Sequence, residues 1–174
     1  HHSATPDAAA ERPATLANPG VGNRCTDPPA VVDDCGNEQG QGAAPTARGE
    51  AYAPISLNPS AAVLHYGQEI CEGLKAYRHA DGSIWTFRPE ANAARLNKSA
   101  RRLALPELPE EYFLGAIRDL VQADKEWYPA GDGEALYLRP CRIARAAFLG
   151  ARAGLAGSFR VLASPSAGRF AGQR

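Results

Sequence analysis

Apolar and polar residues alternate over two short stretches near the middle of the chain. These stretches are Leu74–Arg78 and Ser83–Phe87, and His79–Gly82 lies between them. An Asp-Gly pair between two alternating runs is a strong signal for a β-hairpin. Just upstream, Val63–Tyr66 begins as an apolar, strand-like run. The pattern therefore predicts a small sheet that starts near Tyr52 and contains this hairpin.

Two later stretches repeat apolar residues at helical spacing. One begins at Pro89, a residue type tolerated in the first helical turn, with Glu90 placed favourably against the helix dipole. Its apolar stripe consists of Ala93, Leu96, Ala100 and Leu103. The stripe of the second stretch consists of Phe113, Ile117, Leu120 and Val121. We therefore expect helices near 89–104 and 109–126.

Strand-like runs return in the last third of the chain. They cover 134–139 and 159–163. Because side chains alternate along a strand, Leu136 and Leu138 should share one face, and Tyr137 and Arg139 the other. A phenol and a guanidinium side by side suit a carboxylate, although an ordinary solvated outer face is the simpler interpretation.

The N-terminal segment, residues 1–50, is rich in small and polar residues. Its tract 33–42 has almost no large apolar side chain, so burial cannot offset the roughly 1–2 kcal/mol of backbone entropy lost per ordered residue. We expect this segment to be poorly ordered, with only Ala30–Val32 strand-like. The expected fold is therefore α/β (α+β), in which a small mixed or antiparallel sheet over 52–163 carries two packed helices.

Composition and charge exclude several classes of function. The 174 residues hold 19 basic and 19 acidic side chains, a formal net charge of +0. This balance argues against a nucleic-acid surface, which needs clustered positive charge. The chain contains no run of about 18 apolar residues, so it predicts no membrane span, and its start shows no secretory signal.

The four cysteines are widely and irregularly spaced at positions 25, 35, 71 and 141. None forms a Cys-x-x-Cys pair and no histidine cluster accompanies them, so the spacing predicts no metal site. Four free thiols are the preferred interpretation.

Several long motifs occur in a fixed order along the chain. They are Val63–Gly73, Phe87–Asn92, Arg95, Ser99–Leu103 and Ala135–Pro140. Together they closely resemble the N-terminal domain of branched-chain amino-acid aminotransferases, the pyridoxal 5'-phosphate enzymes of fold type IV. The resemblance runs from about residue 14 to 170. It implies three parts: a preceding segment 1–50, an aminotransferase-like small domain 51–165, and a truncated interdomain loop 166–174.

This resemblance implies roles for four residues. In the family, the residue matching Arg95 binds the phosphate of the cofactor, and those matching Tyr137 and Arg139 help build the substrate pocket. The residue matching Tyr66 faces the substrate pocket of the neighbouring subunit, and the loop at Leu149 and Ala151 crosses the dimer contact. The implied reaction is amino transfer between leucine, isoleucine or valine and 2-oxoglutarate, in a cytoplasmic setting.

No catalytic residue is assigned within this chain, because the family's Schiff-base lysine belongs to the second domain. The chain's own lysines, Lys75, Lys98 and Lys125, do not match that motif. One charged contact from Arg95 would contribute roughly 1.5–3 kcal/mol, whereas millimolar affinity needs about 4 kcal/mol. We therefore expect weak or no cofactor binding by this chain alone, and an inactive chain unless a missing C-terminal domain completes it.

Three departures from the family leave an alternative open. Cys71 and Arg169 replace aromatic residues, and Cys141–Arg145 carries charges where the family is mostly apolar. The sequence assigns no mechanism to Glu72. A decayed or repurposed binding or dimerisation module is therefore a second hypothesis. The expected partner is a second copy in a homodimer or a missing C-terminal domain.

Overall fold

The computed structural model describes residues 30–33, 46–49, 54–125, 128–129, 133–150, 152–154 and 157–166, the first two ranges by their backbone only. Its strands are β1 Ala30–Asp33, β2 Thr46–Gly49, β3 Glu69–Cys71, β4 Leu74–Arg78, β5 Ile84–Thr86, β6 Ala135–Ala144 and β7 Gly157–Ser166. Its helices are α1 Ala62–Tyr66, α2 Pro89–Arg102 and α3 Glu110–Ala123. These ranges leave out four residues that the sequence analysis names: Ala151, Arg169, Cys25 and Cys35.

All seven strands belong to one antiparallel sheet. Its order is β2-β1-β7-β6-β4-β5, and β3 also pairs with β6. Strands β6 and β7 pair along their whole length, from Ala135 opposite Ser166 to Ala144 opposite Gly157. The expected α/β (α+β) fold, a small sheet with two packed helices, is confirmed.

Strands β3 and β4 lie end to end along the same edge of β6. Cys71 faces Cys141, and Leu74 faces Leu138, so the register continues unchanged across the gap between the two strands. At the gap, the Glu72 amide donates to the Pro140 carbonyl over 2.8 Å. The Pro140 nitrogen carries no hydrogen with which to return this bond, because its ring closes on that atom. A proline in β6 therefore marks the break between β3 and β4.

The hydrophobic core lies between one face of the sheet and the two long helices. Along β6, Leu136 and Leu138 are fully buried on this face. They belong to one cluster with Leu96 of α2 and Phe113 of α3. The predicted apolar stripes of both helices point inward, except that Leu103 is 40% exposed beyond the end of α2. The opposite face of the sheet carries no described helix, so side chains that alternate with the core residues remain partly exposed.

The sequence interpretation of Val63–Tyr66 as a strand is wrong, because these residues belong to the helix α1. The helix ends at Gly67, whose left-handed φ of 56° suits a residue without a Cβ. The Ala62 amide joins the helix to the loop after β6 through the Ala146 carbonyl, over 3.1 Å. Five residues are too short a window for periodicity to separate helix from strand.

The predicted extent of the sheet also needs correction. It begins at β1 rather than near Tyr52, and the strand-like Ala30–Val32 is joined by a second strand, β2, within the segment expected to be poorly ordered. Strands β6 and β7 are each longer than the runs predicted at 134–139 and 159–163. Long-range pairing with β7 extends the sheet at both places, and local composition does not report such pairing.

Candidate functional site

The open face of the sheet presents two of the predicted site residues. On β6, Tyr137 is half-buried and Arg139 is exposed, while the alternating residues Leu136 and Leu138 are buried. The predicted alternation is thus confirmed. The Arg139 guanidinium lies over the Tyr137 ring, 5.3 Å from the ring centre, a cation–π arrangement. The two side chains therefore form one polar unit on the open face.

Gly73 makes room for Tyr137. A Cβ built on Gly73 would lie 2.6 Å from the Tyr137 hydroxyl oxygen, closer than two such atoms can approach. The phenol therefore lies directly against the backbone between β3 and β4. This close approach explains why glycine follows Glu72 and places Tyr137 beside the Glu72–Gly73 peptide.

Glu72, to which the sequence assigns no role, has the most extensively bonded side chain of this region. It is 7% exposed, and its carboxylate accepts hydrogen bonds from Arg95 Nε over 2.8 Å, Arg95 Nη2 over 2.5 Å and Asn92 Nδ2 over 2.9 Å. Burial raises the pKa of the Glu72 carboxyl, but the bonds from Arg95 and Asn92 outweigh it and hold the pKa below its usual value. Glu72 is therefore a buried, ionised anchor for two side chains of α2.

Arg95 extends from this anchor towards solvent. The hydrogen bonds and charge of Glu72 raise its pKa above the usual value, and 64% of its side chain is exposed. Two of its five N–H donors are directed at Glu72. None of the described contacts engages the other three, and most of the side chain is open to solvent.

Tyr66 lies elsewhere, against the loop that follows β6. Its hydroxyl oxygen accepts a hydrogen bond from the Gly150 amide over 2.6 Å, and its ring stacks on Phe148 with centroids 6.4 Å apart. Tyr66 is 49% exposed and Leu149 beside it is 73% exposed. Both side chains are therefore exposed, one on each side of the contact between Tyr66 and the loop after β6.

The structure thus places Tyr137 and Arg139 together on the open face of the sheet, and places Arg95 against Glu72, whose side chain is directed to the opposite face, which α2 covers. The two groups meet at adjacent residues, because Glu72 accepts from Arg95 and Gly73 lies against Tyr137. The Gly73 carbonyl also accepts from Asn92 over 3.4 Å. Asn92 and Arg95 are three residues apart on α2 and so share one face of the helix. The sequence signal for the role of Glu72 is therefore this pair of donors on one helix face, together with an acid that has no other assigned role.

A second unpredicted feature is the burial of Arg142. It is fully buried on the core face of β6, and its guanidinium donates a hydrogen bond to the Pro106 carbonyl in the loop between the helices. The sequence interpretation notes charge in this part of the strand only as a departure from an apolar pattern. The side chain instead fastens the interhelix loop to the sheet.

None of the three lysines has a described contact with Glu72, Asn92 or Arg95. Lys75 is half-buried on β4, opposite Tyr137 in the strand register. Lys98 is exposed on α2, and the carbonyl of Lys125 accepts from Arg78. Within the described part of the chain, Arg95 is the residue suited to the phosphate of pyridoxal 5'-phosphate, and no described contact joins a lysine amine to it.

Two further properties bear on function. Among the helices in the described ranges, none combines the length and apolar character needed to cross a membrane. Histidine, cysteine, aspartate and glutamate side chains in those ranges do not gather into a group of three that could hold a metal ion.

Comparison with curated proteins finds close relatives along almost the whole chain. The branched-chain-amino-acid aminotransferase of Mycolicibacterium smegmatis is 52% identical over 164 residues, which cover 94% of this chain and 44% of that protein. The enzyme of the same name from Mycobacterium tuberculosis H37Rv is 49% identical over the same shares. A probable branched-chain-amino-acid aminotransferase of Streptomyces coelicolor is 48% identical, over 98% of this chain and 46% of its own length. The chain thus spans less than half the length of these relatives.

Solved structures share the fold at lower sequence identity. The T.th. branched-chain amino acid aminotransferase, complexed with N-(5'-phosphopyridoxyl)-L-glutamate, superposes with a TM-score of 0.59 at 21% identity, over 79% of this chain and 41% of that one. The branched-chain aminotransferase of Thermoproteus uzoniensis with norvaline gives 0.56 at 24% identity, over 67% and 37%. No family model matches the chain.

Proposed function

The chain is homologous to the branched-chain-amino-acid aminotransferases over almost all of its own length, and on this basis we propose that it forms part of such an enzyme. The reaction is amino transfer between leucine, isoleucine or valine and 2-oxoglutarate. The observation that carries the proposal is that Arg95 and Tyr137 lie against adjacent residues, Glu72 and Gly73, and that Arg139 packs on Tyr137. Because the chain spans 44% of its relative, residues outside it would complete the enzyme.

Arg95 is the residue proposed to hold the cofactor phosphate. Its exposed donors are available to an anion, while Glu72 fixes the guanidinium through Nε and Nη2. A charged donor held in place loses less rotamer entropy when it binds, so Glu72 and Asn92 orient Arg95 for the phosphate. When bound, pyridoxal 5'-phosphate supplies the electron sink for chemistry at the amino-acid α-carbon.

Tyr137 and Arg139 are proposed to hold the substrate carboxylate. A guanidinium binds a carboxylate through two parallel N–H bonds, and the adjacent phenol adds one donor. The ring of Tyr137 supports the Arg139 guanidinium from one side, which restricts its orientation. The chain's own contribution is therefore binding and orientation, and the proton transfers at the α-carbon fall to a lysine beyond this chain.

Tyr66 is proposed to act in the site of a second subunit of a homodimer. The exposure of its side chain, together with that of Leu149, supports this assignment. The hydrogen bond from Gly150 and the stacking on Phe148 hold the ring in place without a partner. The phenol would thus be prepositioned for the neighbouring pocket.

A chimera tests the proposal. The chain is fused to the remaining, C-terminal part of the M. smegmatis relative, and leucine-dependent formation of glutamate from 2-oxoglutarate is measured. We expect an active chimera. Arg95→Gln should raise the Kd for pyridoxal 5'-phosphate by about ten- to a hundredfold. This change corresponds to the free energy of one hydrogen bond between charged groups. Arg139→Gln should raise the KM for both substrates and leave cofactor retention unchanged.

Arg101→Gln is the matched control, because Arg101 lies on the same helix and is also paired with a glutamate, Glu107, but stands outside the cluster. It should behave as the unmodified chimera. A folded chimera that binds cofactor but makes no glutamate would overturn the proposal. Equal effects of Arg95→Gln and Arg101→Gln would overturn the assigned role of Arg95.

The alternative is a non-catalytic module that binds a partner or dimerises. The exposed Tyr66 and Leu149, and the engagement of Arg95 by Glu72, favour it. The same chimera separates the two functions. An inactive but dimeric chimera, whose dimer is lost on Leu149→Ser, would support this module in place of the enzyme.

A further inference from the structure

Two cysteines face each other across the open face of the sheet. Cys71 of β3 is directly opposite Cys141 of β6 in the antiparallel register. Both are free, with Cys71 exposed and Cys141 half-buried. They are seventy residues apart in sequence, so their pairing is a product of the fold and is invisible in the cysteine spacing.

The hydrogen bonds around them define the type of pair. The Glu72 amide donates to the Pro140 carbonyl, and the Ala144 amide donates to the Gln68 carbonyl. In an antiparallel ladder, a bond between the residue after one cysteine and the residue before the other makes the two cysteines a non-hydrogen-bonded pair. Such pairs have the closer side chains, with Cα atoms about 4.5 Å apart. That spacing lies inside the range of about 4.4–6.8 Å that a disulfide spans.

The two thiols differ in acidity. The hydrogen bond between the sulfurs lowers the pKa of Cys71 to about 7; burial opposes this effect and the charge of Arg139 assists it. The same hydrogen bond, together with burial, raises the pKa of Cys141. Cys71 is thus the more acidic of the two thiols, and Cys141 donates the hydrogen bond between the sulfurs.

We propose that Cys71 and Cys141 form a reversible dithiol–disulfide site, in which Cys71 reacts with a low-molecular-weight disulfide and Cys141 completes the bond. The inference does not depend on the proposed aminotransferase function. It follows from the strand register and from the accessibility of Cys71.

The reaction balances with one such disulfide as oxidant. The Cys71 thiolate attacks one sulfur of the disulfide, whose S–S bond breaks and releases one thiolate that takes up a proton. Cys141 then gives up its proton to water and attacks the Cys71 sulfur, which expels the second thiolate. Relative to the dithiol, the protein loses two protons and two electrons, and the small disulfide gains them to become two thiols. A reducing dithiol reverses both steps.

The site lies beside the cluster described above. Cys71 directly precedes Glu72, and the Arg139 guanidinium is within hydrogen-bonding reach of the Cys71 sulfur. Oxidation removes the negative charge of that sulfur and with it one partner of Arg139. The redox state of the pair is therefore coupled to how firmly Arg139 is held.

The test uses the full chain with Cys25→Ser and Cys35→Ser, so that the pair contributes the remaining thiols. Oxidised glutathione is added near neutral pH, and free thiols, intact mass and non-reducing peptide maps are followed. We expect the loss of both thiols, a mass lower by two hydrogens, and a cross-link between the peptides that contain Cys71 and Cys141. Dithiothreitol should restore both thiols.

Two variants separate the roles of the cysteines. Adding Cys141→Ser should stop the reaction at a glutathione adduct on Cys71, whereas adding Cys71→Ser should leave Cys141 unmodified. The proposal is overturned if both thiols survive, if the two-cysteine chain stops at a stable adduct, or if the cross-link joins two chains. It is equally overturned if the adduct forms faster on Cys141 than on Cys71.

Discussion

Helix α2 carries two arginine–glutamate pairs that look alike in distance and differ in surroundings. Arg95 meets Glu72 and Arg101 meets Glu107, each over 2.5 Å. Both arginines are well exposed, at 64% and 58% of their side chains. The Glu72 side chain is 5% exposed, however, and that of Glu107 is 49%.

The burial of the acid decides what each pair contributes. Glu72 belongs to the sheet edge, twenty-three positions from Arg95, whereas Glu107 lies six positions from Arg101 in the loop after the same helix. A buried carboxylate needs its hydrogen-bond donors because water cannot replace them, while an exposed carboxylate is solvated with or without its partner. The first pair therefore joins α2 to the sheet, and the second adds little beyond local order.

Removing the arginine from the buried acid should have the largest effect of the changes that test this difference. Arg95→Ala leaves Glu72 charged, with the Asn92 side chain and the Gly73 amide as its remaining described partners. We expect a loss of about 1–3 kcal/mol in the free energy of unfolding, reduced from the cost of a fully buried pair because water can reach the arginine side. Urea unfolding measures it. A loss no greater than that of Arg101→Ala would contradict the distinction between the two pairs.

Neutralising the acid should cost less and should change the pH dependence. Glu72→Gln retains an oxygen that accepts from Asn92 and Arg95 but removes the charge, for an expected loss of about 1–2 kcal/mol near neutral pH. Because the pKa of Glu72 is lowered in the folded state, its contribution is complete above the pKa of an unfolded glutamate, about 4.3, and is lost as the pH falls through the folded value.

Unfolding curves of the unmodified chain and the Gln variant, measured from neutral pH down to about pH 3, check this sign. The two stabilities should converge in acid. A difference that stays constant or grows as the pH falls would show that the charge of Glu72 is not the source of the stabilisation.

The third donor to the acid should matter less than Arg95. Asn92→Ala removes the bonds to Glu72 and to the Gly73 carbonyl, and we expect a loss of about 0.5–1.5 kcal/mol. In the Glu72→Gln background the loss should shrink, because the bond to a charged acceptor is already absent. Equal losses in both backgrounds, in a double-mutant cycle, would mean that Asn92 acts without Glu72.

The exposed pair should show the smallest effect. Arg101→Ala is expected to change the free energy of unfolding by about 0.2–1 kcal/mol, and added salt should reduce this further. Thermal unfolding at low and high salt measures both. A salt-independent loss as large as that of Arg95→Ala would show that burial of the acid is not what separates the two pairs.

Sequence patterns predicted those parts of the molecule that local periodicity encodes. The inward stripe of α2 and the alternation of Leu136, Tyr137, Leu138 and Arg139 follow from helical and strand spacing, and both are present. Helix α1 did not follow, because a run of four residues fits either period. Strand β2, whose residues include Gly49 and charged Arg48, forms through pairing with β1 rather than through its own composition.

The candidate site was predictable in its members and not in its connections. Arg95, Tyr137 and Arg139 could be named from the resemblance, but the bond from Arg95 to Glu72 depends on how α2 packs against the sheet edge. The facing of Cys71 and Cys141 likewise depends on strand register. Contacts between residues of different helices or strands produce no periodic pattern in the sequence. They can therefore be identified only from the folded structure.

Pro140 should also affect the rate at which nearby backbone amides exchange hydrogen with solvent. Strands joined by an unbroken series of backbone hydrogen bonds tend to unfold locally as one unit. Pro140, opposite Glu72, cannot donate one of these hydrogen bonds at the gap between β3 and β4. We expect the amides of Glu69–Cys71 to exchange with solvent as a unit separate from, and faster than, those of Leu74–Arg78, which also pair with β5. The short strand that carries Cys71 can thus open locally while the rest of the sheet stays closed.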